Sequence, residues 1–149
     1  MSNLLIIIYM LLAGSLIAIQ GSANSALGKY LDHPLQAAVV SFSSGLLVLV
    51  LASVFLRVGL PQPAKVIAAP KFILIGGLLG AIFVTSVILC VPKVGVANVI
   101  IASLCGQILL SLALDHYGVM GMKQNPLNWS RAAGAALVVA GLFLINYKK

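Results

Sequence analysis

The sequence predicts an all-α membrane protein, a five-transmembrane-helix bundle forming one domain over residues 1–149. Three observations lead there. Of the 149 residues, 62% are apolar and 7% are charged, with a mean hydropathy of +1.17. A soluble domain carries about 25% charged residues to cover its surface. The apolar residues form long, nearly continuous runs, unlike the alternating segments of about 10 residues that build a membrane barrel. Five of these runs approach the roughly 20 residues that cross a hydrocarbon core.

The first span covers residues 4–28. Gly21-Ser22-Ala23 imitates a cleavage site, but Met1-Ser2-Asn3 brings no basic lead, and four more spans follow. A retained helix is therefore expected rather than a cleaved signal peptide. Lys29, Asp32 and His33 end the run, and Pro34 opens the second span, 34–56. Proline suits a helix's first turn, where its missing N–H leaves no bond unmade. Residues 57–71 hold Pro61, Pro63, Pro70 and three cations, and they separate the second span from the third, 72–91. Pro92-Lys93, with Gly95 just after it, marks a tight link to the fourth span, 94–114. The longest polar stretch, 115–131, contains Gly118, Gly121 and Pro126. The fifth span, 132–147, is short and is flanked by Trp129 and Tyr147, residues that favour the membrane interface.

The net charge of +7 comes from nine Lys/Arg against two Asp/Glu. The cations are scattered between apolar runs and form no basic patch with interleaved aromatics, so no nucleic acid is expected as a partner. Five spans put the termini on opposite faces. Arg57, Lys65, Lys71, Lys123 and Arg131 fall on the face of the N-terminus; Lys29, Lys93, Lys148 and Lys149 fall on the other. Orientation follows the imbalance of such charges, and five against four chooses weakly. The expectation is insertion both ways up, with an inverted copy of the chain as partner. A single fixed orientation is the plainer alternative.

No Asp, Glu, Lys or Arg lies in the middle of a span. Intramembrane carboxylates are the usual proton and cation handles of transporters, so a different kind of site is expected. Gln20 and Asn24 share one face of the first span at i,i+4 spacing, and Ser103, Gln107, Ser111 and Asp115 form a stripe along the fourth. Thr85, Ser86 and Asn98 are further polar positions. Such side chains often serve only as hydrogen bonds between helices, and that reading suits Ser103, Ser111, Thr85 and Ser86. The amides Gln20, Asn24 and Gln107 carry four hydrogen-bonding sites each, more than packing demands, and are expected to line a cavity near the bilayer centre. Gln20, Asn24, Gln107, Ser103 and Ser111 are the candidate substrate-binding residues.

Small residues recur at helical spacing: Gly14/Gly21/Gly28, Ala37/Ser41/Gly45, Gly76/Gly80 with Gly77/Ala81, and Ala132/Ala136/Ala140. They let helix backbones approach closely. Gly76 and Gly80 are expected to pack, while Pro92, Gly95 and Gly106 are expected to let the third and fourth spans bend. Cys90 and Cys105 lie inside apolar runs and read as small packers; His33 and His116 read as solvated residues at loop edges. No Ser-His-Asp set, phosphate loop or zinc spacing is present, so neither an enzyme nor a cofactor is expected.

A wider pattern combines Gln20, Asn24, Leu27-Gly28, His33-Pro34, Ala37-Ala38, Ser41-Phe42 and Gly45. It continues with Gly76-Gly77, Gly80-Ala81, Pro92, Gly95, Gly106-Gln107, Asp115-His116, Gly118, Gly121, Pro126, Arg131, Gly134 and Gly141. This resembles the YdcZ-like family of short bacterial inner-membrane proteins in the drug/metabolite transporter superfamily. The resemblance implies a multi-pass protein of the bacterial inner membrane that is half of an EamA-like inverted-repeat transporter. Its second half would come from an inverted copy of itself or a paralogous half-transporter. It implies transport of a small polar or amphipathic metabolite by alternating access, with a site near the midplane. Four-helix relatives in the superfamily use a first-helix glutamate for proton/cation exchange; Gln20 and Asn24 stand in this chain's first span. A neutral or zwitterionic solute, or an anion, suits these amides better. The competing expectation is a non-transporting membrane subunit that packs against a larger partner through its small-residue stripes.

Overall fold

The structure is a computed structural model and describes residues 3–121 and 123–147, with the side chains of residues 3, 120 and 146 left aside. Met1, Ser2, Lys148 and Lys149, which entered the leader and charge arguments, lie outside the described residues. Every regular element among them is helical: α1 (Asn3–Tyr30), α2 (Pro34–Phe55), α3 (Pro63–Ala68), α4 (Gly76–Val94), α5 (Val96–Tyr117) and α6 (Trp129–Asn146). Short 3₁₀ turns occupy Lys71–Ile73 and Val119–Gly121. Among the described residues four helices are long and apolar enough to cross a membrane, and the apolar part of α6, Trp129–Ile145, is shorter.

The helix ends differ from the expected ones for local reasons. His33 is exposed at the loop edge, as expected of it, and also caps α2, its Nδ1 accepting from the Leu35 N–H at 3.2 Å. α2 stops at Phe55, and Arg57 beyond it is left-handed with φ 55°. The third apolar span runs over Lys71–Val94, close to the expected start at residue 72, with its first residues, Lys71–Ile73, in a 3₁₀ turn and the α-helix proper from Gly76. The break expected at Pro92-Lys93 is not there. Pro92 lies inside the last turn of α4, which continues to Val94. A proline so near the end forgoes a single helical bond. Gly95 alone separates α4 from α5, at φ 87° and ψ 158°, a conformation open to glycine. α5 runs three residues past Leu114 to Tyr117 and ends at left-handed Gly118. α6 starts at Trp129, three residues early, because the Asn128 side chain accepts from the Arg131 N–H at 2.9 Å. Such an N-cap satisfies one of the donors that a helix start leaves unpaired.

The chain divides into two compact units, residues 1–93 and 94–149. In the first, α1 packs on α2, and Ala37, Ala38 and Ile88 form the core with Leu27 and Val84 against it. Gly28 admits this contact: a Cβ there would lie 2.7 Å from Ile88 Cγ2 and 3.7 Å from Ala37 Cβ. One at Gly21 would lie 3.2 Å from Val87 Cγ1. One at Gly80 would lie 3.5 Å from Phe42 Cζ, in ordinary contact with the ring. Gly14, Gly45, Gly76 and Gly77 have open space beside them, so each small-residue stripe is only partly used within the unit. In the second unit α5 packs on α6. Its seam buries Cys105 and Ala135, and the Cys105 thiol donates to the Val138 carbonyl at 3.7 Å. Ala135 is buried there while Ala136, in the expected stripe, is exposed.

Candidate functional site

Asn24 is buried on α1 and donates from Nδ2 to Ser41 Oγ on α2 at 3.1 Å. An amide away from water costs free energy unless it is bonded, and here Ser41 supplies the partner. Sequence reasoning had Ser41 in a small-residue stripe and missed it as a hydrogen-bonding residue. Its signal was a hydroxyl on a face otherwise made of alanine and glycine. Gln20, one turn before Asn24, is exposed. It edges a groove of about 360 Å³ with Ser41, Phe42, Gly45, Leu46 and Leu49. Its amide has no hydrogen-bond partner among the described residues.

Along α5 the expected stripe separates into three kinds of residue. Ser103 Oγ donates to the Ile100 carbonyl at 2.8 Å and Ser111 Oγ to the Ile108 carbonyl at 2.9 Å, so both hydroxyls are spent on their own helix. Ser86 does the same on α4, to Ile82 at 2.9 Å, and Asn98 Nδ2 donates to the Val94 carbonyl at 2.7 Å. Gln107 is exposed and, like Gln20, has no partner among the described residues. Gln107 sits at the middle of α5, and Gln20 stands roughly 5 Å from the middle of α1 at 1.5 Å per residue. Gly106, beside Gln107, has open space around it.

The fourth member, Asp115, belongs to a polar cluster that closes the α5–α6 connection. Its carboxylate pairs with the Arg131 guanidinium, while its carbonyl accepts from the Asn125 N–H at 2.8 Å. Arg131 Nη1 also donates to the Asn125 carbonyl at 2.6 Å. His116 Nδ1 accepts from the Leu127 N–H at 3.1 Å, and its carbonyl accepts from Gln124 Nε2 at 2.8 Å. His116 is thus a loop-holding residue, where a solvated one was expected. The cluster unites Asp115, which the sequence placed at the end of the fourth span's stripe, with Arg131, which it showed only as a loop charge. Nothing in the spacing of 115 and 131 announces a pair, since the loop between them could fold in several ways.

A larger cleft of about 530 Å³ lies between α5 and α6, lined mainly by residues such as Leu109, Leu112, Ala135 and Val139, with His116 and Tyr117 toward its end. It shares no residue with the expected set. A ligand site needs convergent polar groups beside its apolar walls, and an apolar furrow between membrane helices is what lipid tails fill. The Gln20 groove is smaller, with Gln20 and Ser41 as its polar lining.

The family described as "Putative inner membrane exporter, YdcZ" matches residues 5–144 of the chain. No curated protein and no solved structure matches it. The family match and the apolar helices make this a multi-pass inner-membrane protein of a transporter family.

Proposed function

The chain belongs to the YdcZ family of inner-membrane exporters, and on that premise we propose that it is a half-size exporter completed by an inverted second copy. In this reading α6 is the fifth span: its 18 residues reach about 27 Å, close to the ~30 Å hydrocarbon core. Exposed Trp129 and Tyr147 anchor its ends. The nearly even division of cations supports insertion both ways up. Arg131, one of the five on the N-terminal face, is moreover tied to Asp115.

The observation that carries the solute-site reading is the difference among the three amides. Asn24 is engaged with Ser41, whereas Gln20 and Gln107 are the two near-central amides without protein partners among the described residues. We assign to Gln20 and Gln107, from both copies, the recognition of a small polar or amphipathic solute, neutral, zwitterionic or anionic. Asn24, Ser103 and Ser111 shape the walls. Alternating access then needs the helices to bend, and we assign that bending to Pro92, Gly95 and Gly106. The test is efflux from cells or vesicles with Gln20→Leu and Gln107→Leu. Both variants are expected to lose transport while eluting as the wild-type dimer; full transport by both removes the pocket.

The glycines with open space beside them, among them Gly14, Gly45, Gly134 and Gly141, favour a second reading, a non-transporting subunit docked on a larger partner. Purification without added partners separates the two. A stable homodimer supports the exporter, and a chain that aggregates until a partner is co-expressed supports the subunit.

A further inference from the structure

The segment joining α2 to α4 is set apart by its charges, three cations with no acid, though its left-handed turn has a counterpart at Asp32 (φ 60°) between α1 and α2. α2 ends in a left-handed turn made by a charged residue: Arg57 has φ 55°, a conformation usually given to glycine. The Arg57 N–H donates to the Val54 carbonyl at 3.1 Å and the Val58 N–H to the Ser53 carbonyl at 3.0 Å. These paired bonds close the helix and turn the chain out of it. Gly59, Pro61 and Pro63 follow, then α3, whose six residues are all exposed. Between Leu56 and Ile75 there are three cations, Arg57, Lys65 and Lys71, and no acid. None of the three has an ion-pair partner among the described residues. Large apolar side chains stand exposed among them, with Ile67 at 72% and Val58 at 76%.

Both ends of this segment join helices long and apolar enough to cross a membrane. It therefore emerges where hydrocarbon gives way to headgroups. A loop surrounded by water gains nothing from exposing Val58, Ile67 and Phe72. A loop covered by protein would strand three unpaired charges. The headgroup layer of an anionic leaflet satisfies both kinds of side chain at once. The connection at the α5–α6 end offers a contrast, because there Arg131 is taken by Asp115.

We propose that residues 56–75 form an interfacial foot that binds anionic phospholipid. Arg57, Lys65 and Lys71 meet the phosphates, and Val58, Ile67 and Phe72 sit among the upper acyl chains. This stands whether or not the chain transports a solute.

The test uses the full chain in phosphatidylcholine bilayers containing spin-labelled phosphatidylglycerol or spin-labelled phosphatidylcholine. The quantity read is the association of the anionic label relative to the zwitterionic one. A cation at an anionic surface is worth about fivefold, so the wild-type chain is expected to prefer phosphatidylglycerol by about that factor. The triple variant Arg57→Gly/Lys65→Gln/Lys71→Gln should bring the ratio near unity. Arg57→Gly suits the left-handed turn, so as a single variant it removes a charge while leaving the helix end relaxed, and it should lower the ratio alone. Lys29→Gln/Lys93→Gln, on the opposite face, should lower it much less than the triple variant does. A wild-type ratio near unity, a triple variant that keeps the preference, or an equal loss in the opposite-face control overturns the proposal. So does displacement of the labelled lipid by soluble glycerol phosphate, which would make the site one for free phosphate.

Discussion

In the unit made by α1, α2 and α4, helices meet where side chains have been taken away. Gly28 brings Ile88 to within van der Waals range of the α1 backbone, and Ala37 is fully buried against the same spot. The polar bond within it, Asn24 to Ser41, is neutral. In the α5–α6 unit the apolar seam buries little beyond Cys105 and Ala135. Order there comes from the end of the hairpin, where Asp115, Arg131, His116, Asn125 and Asn128 interlock. The first unit is held by close approach at membrane depth, the second by hydrogen bonds at its rim. Close approach tolerates no added atom. A rim of several polar bonds loses them one at a time.

That contrast can be broken experimentally, and the largest effect belongs to Gly28. Gly28→Val places atoms into Ile88 and is expected to cost about 2 kcal/mol or more, the upper part of the overpacking range. Thermal unfolding of the detergent-purified protein should show it, whereas Gly45→Ala, at a glycine with open space beside it, should melt as the wild type does. An equal loss in both variants would mean that the Gly28 contact is not special.

A smaller effect is expected at Asn128. Asn128→Ala removes the cap of α6 and should cost about 1 kcal/mol, visible as faster amide exchange in the first turn of α6. Arg131→Met should cost less. The pair with Asp115 is partly exposed, at 23% and 38% of side-chain surface, and such pairs are worth about 0.5 kcal/mol once solvent screens them. Raising the salt concentration should shrink the difference between this variant and the wild type. A change of the same small size is expected from Asn24→Leu, near the ~0.6 kcal/mol average for hydrogen bonds across membrane helices. Transport should largely survive it, in contrast to Gln20→Leu. If Asn24→Leu abolishes efflux in a stable protein, Asn24 contacts the solute and the division among the amides is wrong.

Much of this fold was legible because hydropathy needs only composition over about 20 residues. The five apolar helices follow from it. Their ends do not, since caps are made by single side chains: Asn128 starts α6 early, and Pro92 fails to stop α4 because its missing bond falls in the last turn. α3 was invisible among three prolines. The candidate site was legible in part. Spacing of i,i+4 put Gln20 and Asn24 on one face, but spacing cannot tell which amide will meet a hydroxyl on the next helix. Ser41 decided that, and only packing reveals it. Asp115 and Arg131 were likewise visible as charges and invisible as a pair, because the residues between them set their separation.

The central claim is that the chain supplies half of an exporter and pairs with a copy of itself lying the other way up. Labelling of a single engineered cysteine in intact cells tests it most directly. The background carries Cys90→Ala and Cys105→Ala, the reporter is Lys123→Cys in the α5–α6 connection, and the reagent is a membrane-impermeant maleimide. Nearly balanced loop charges predict that roughly half of the chains label from outside and the remainder only after permeabilisation. Labelling of all chains, or of none, before permeabilisation would contradict the inverted pair.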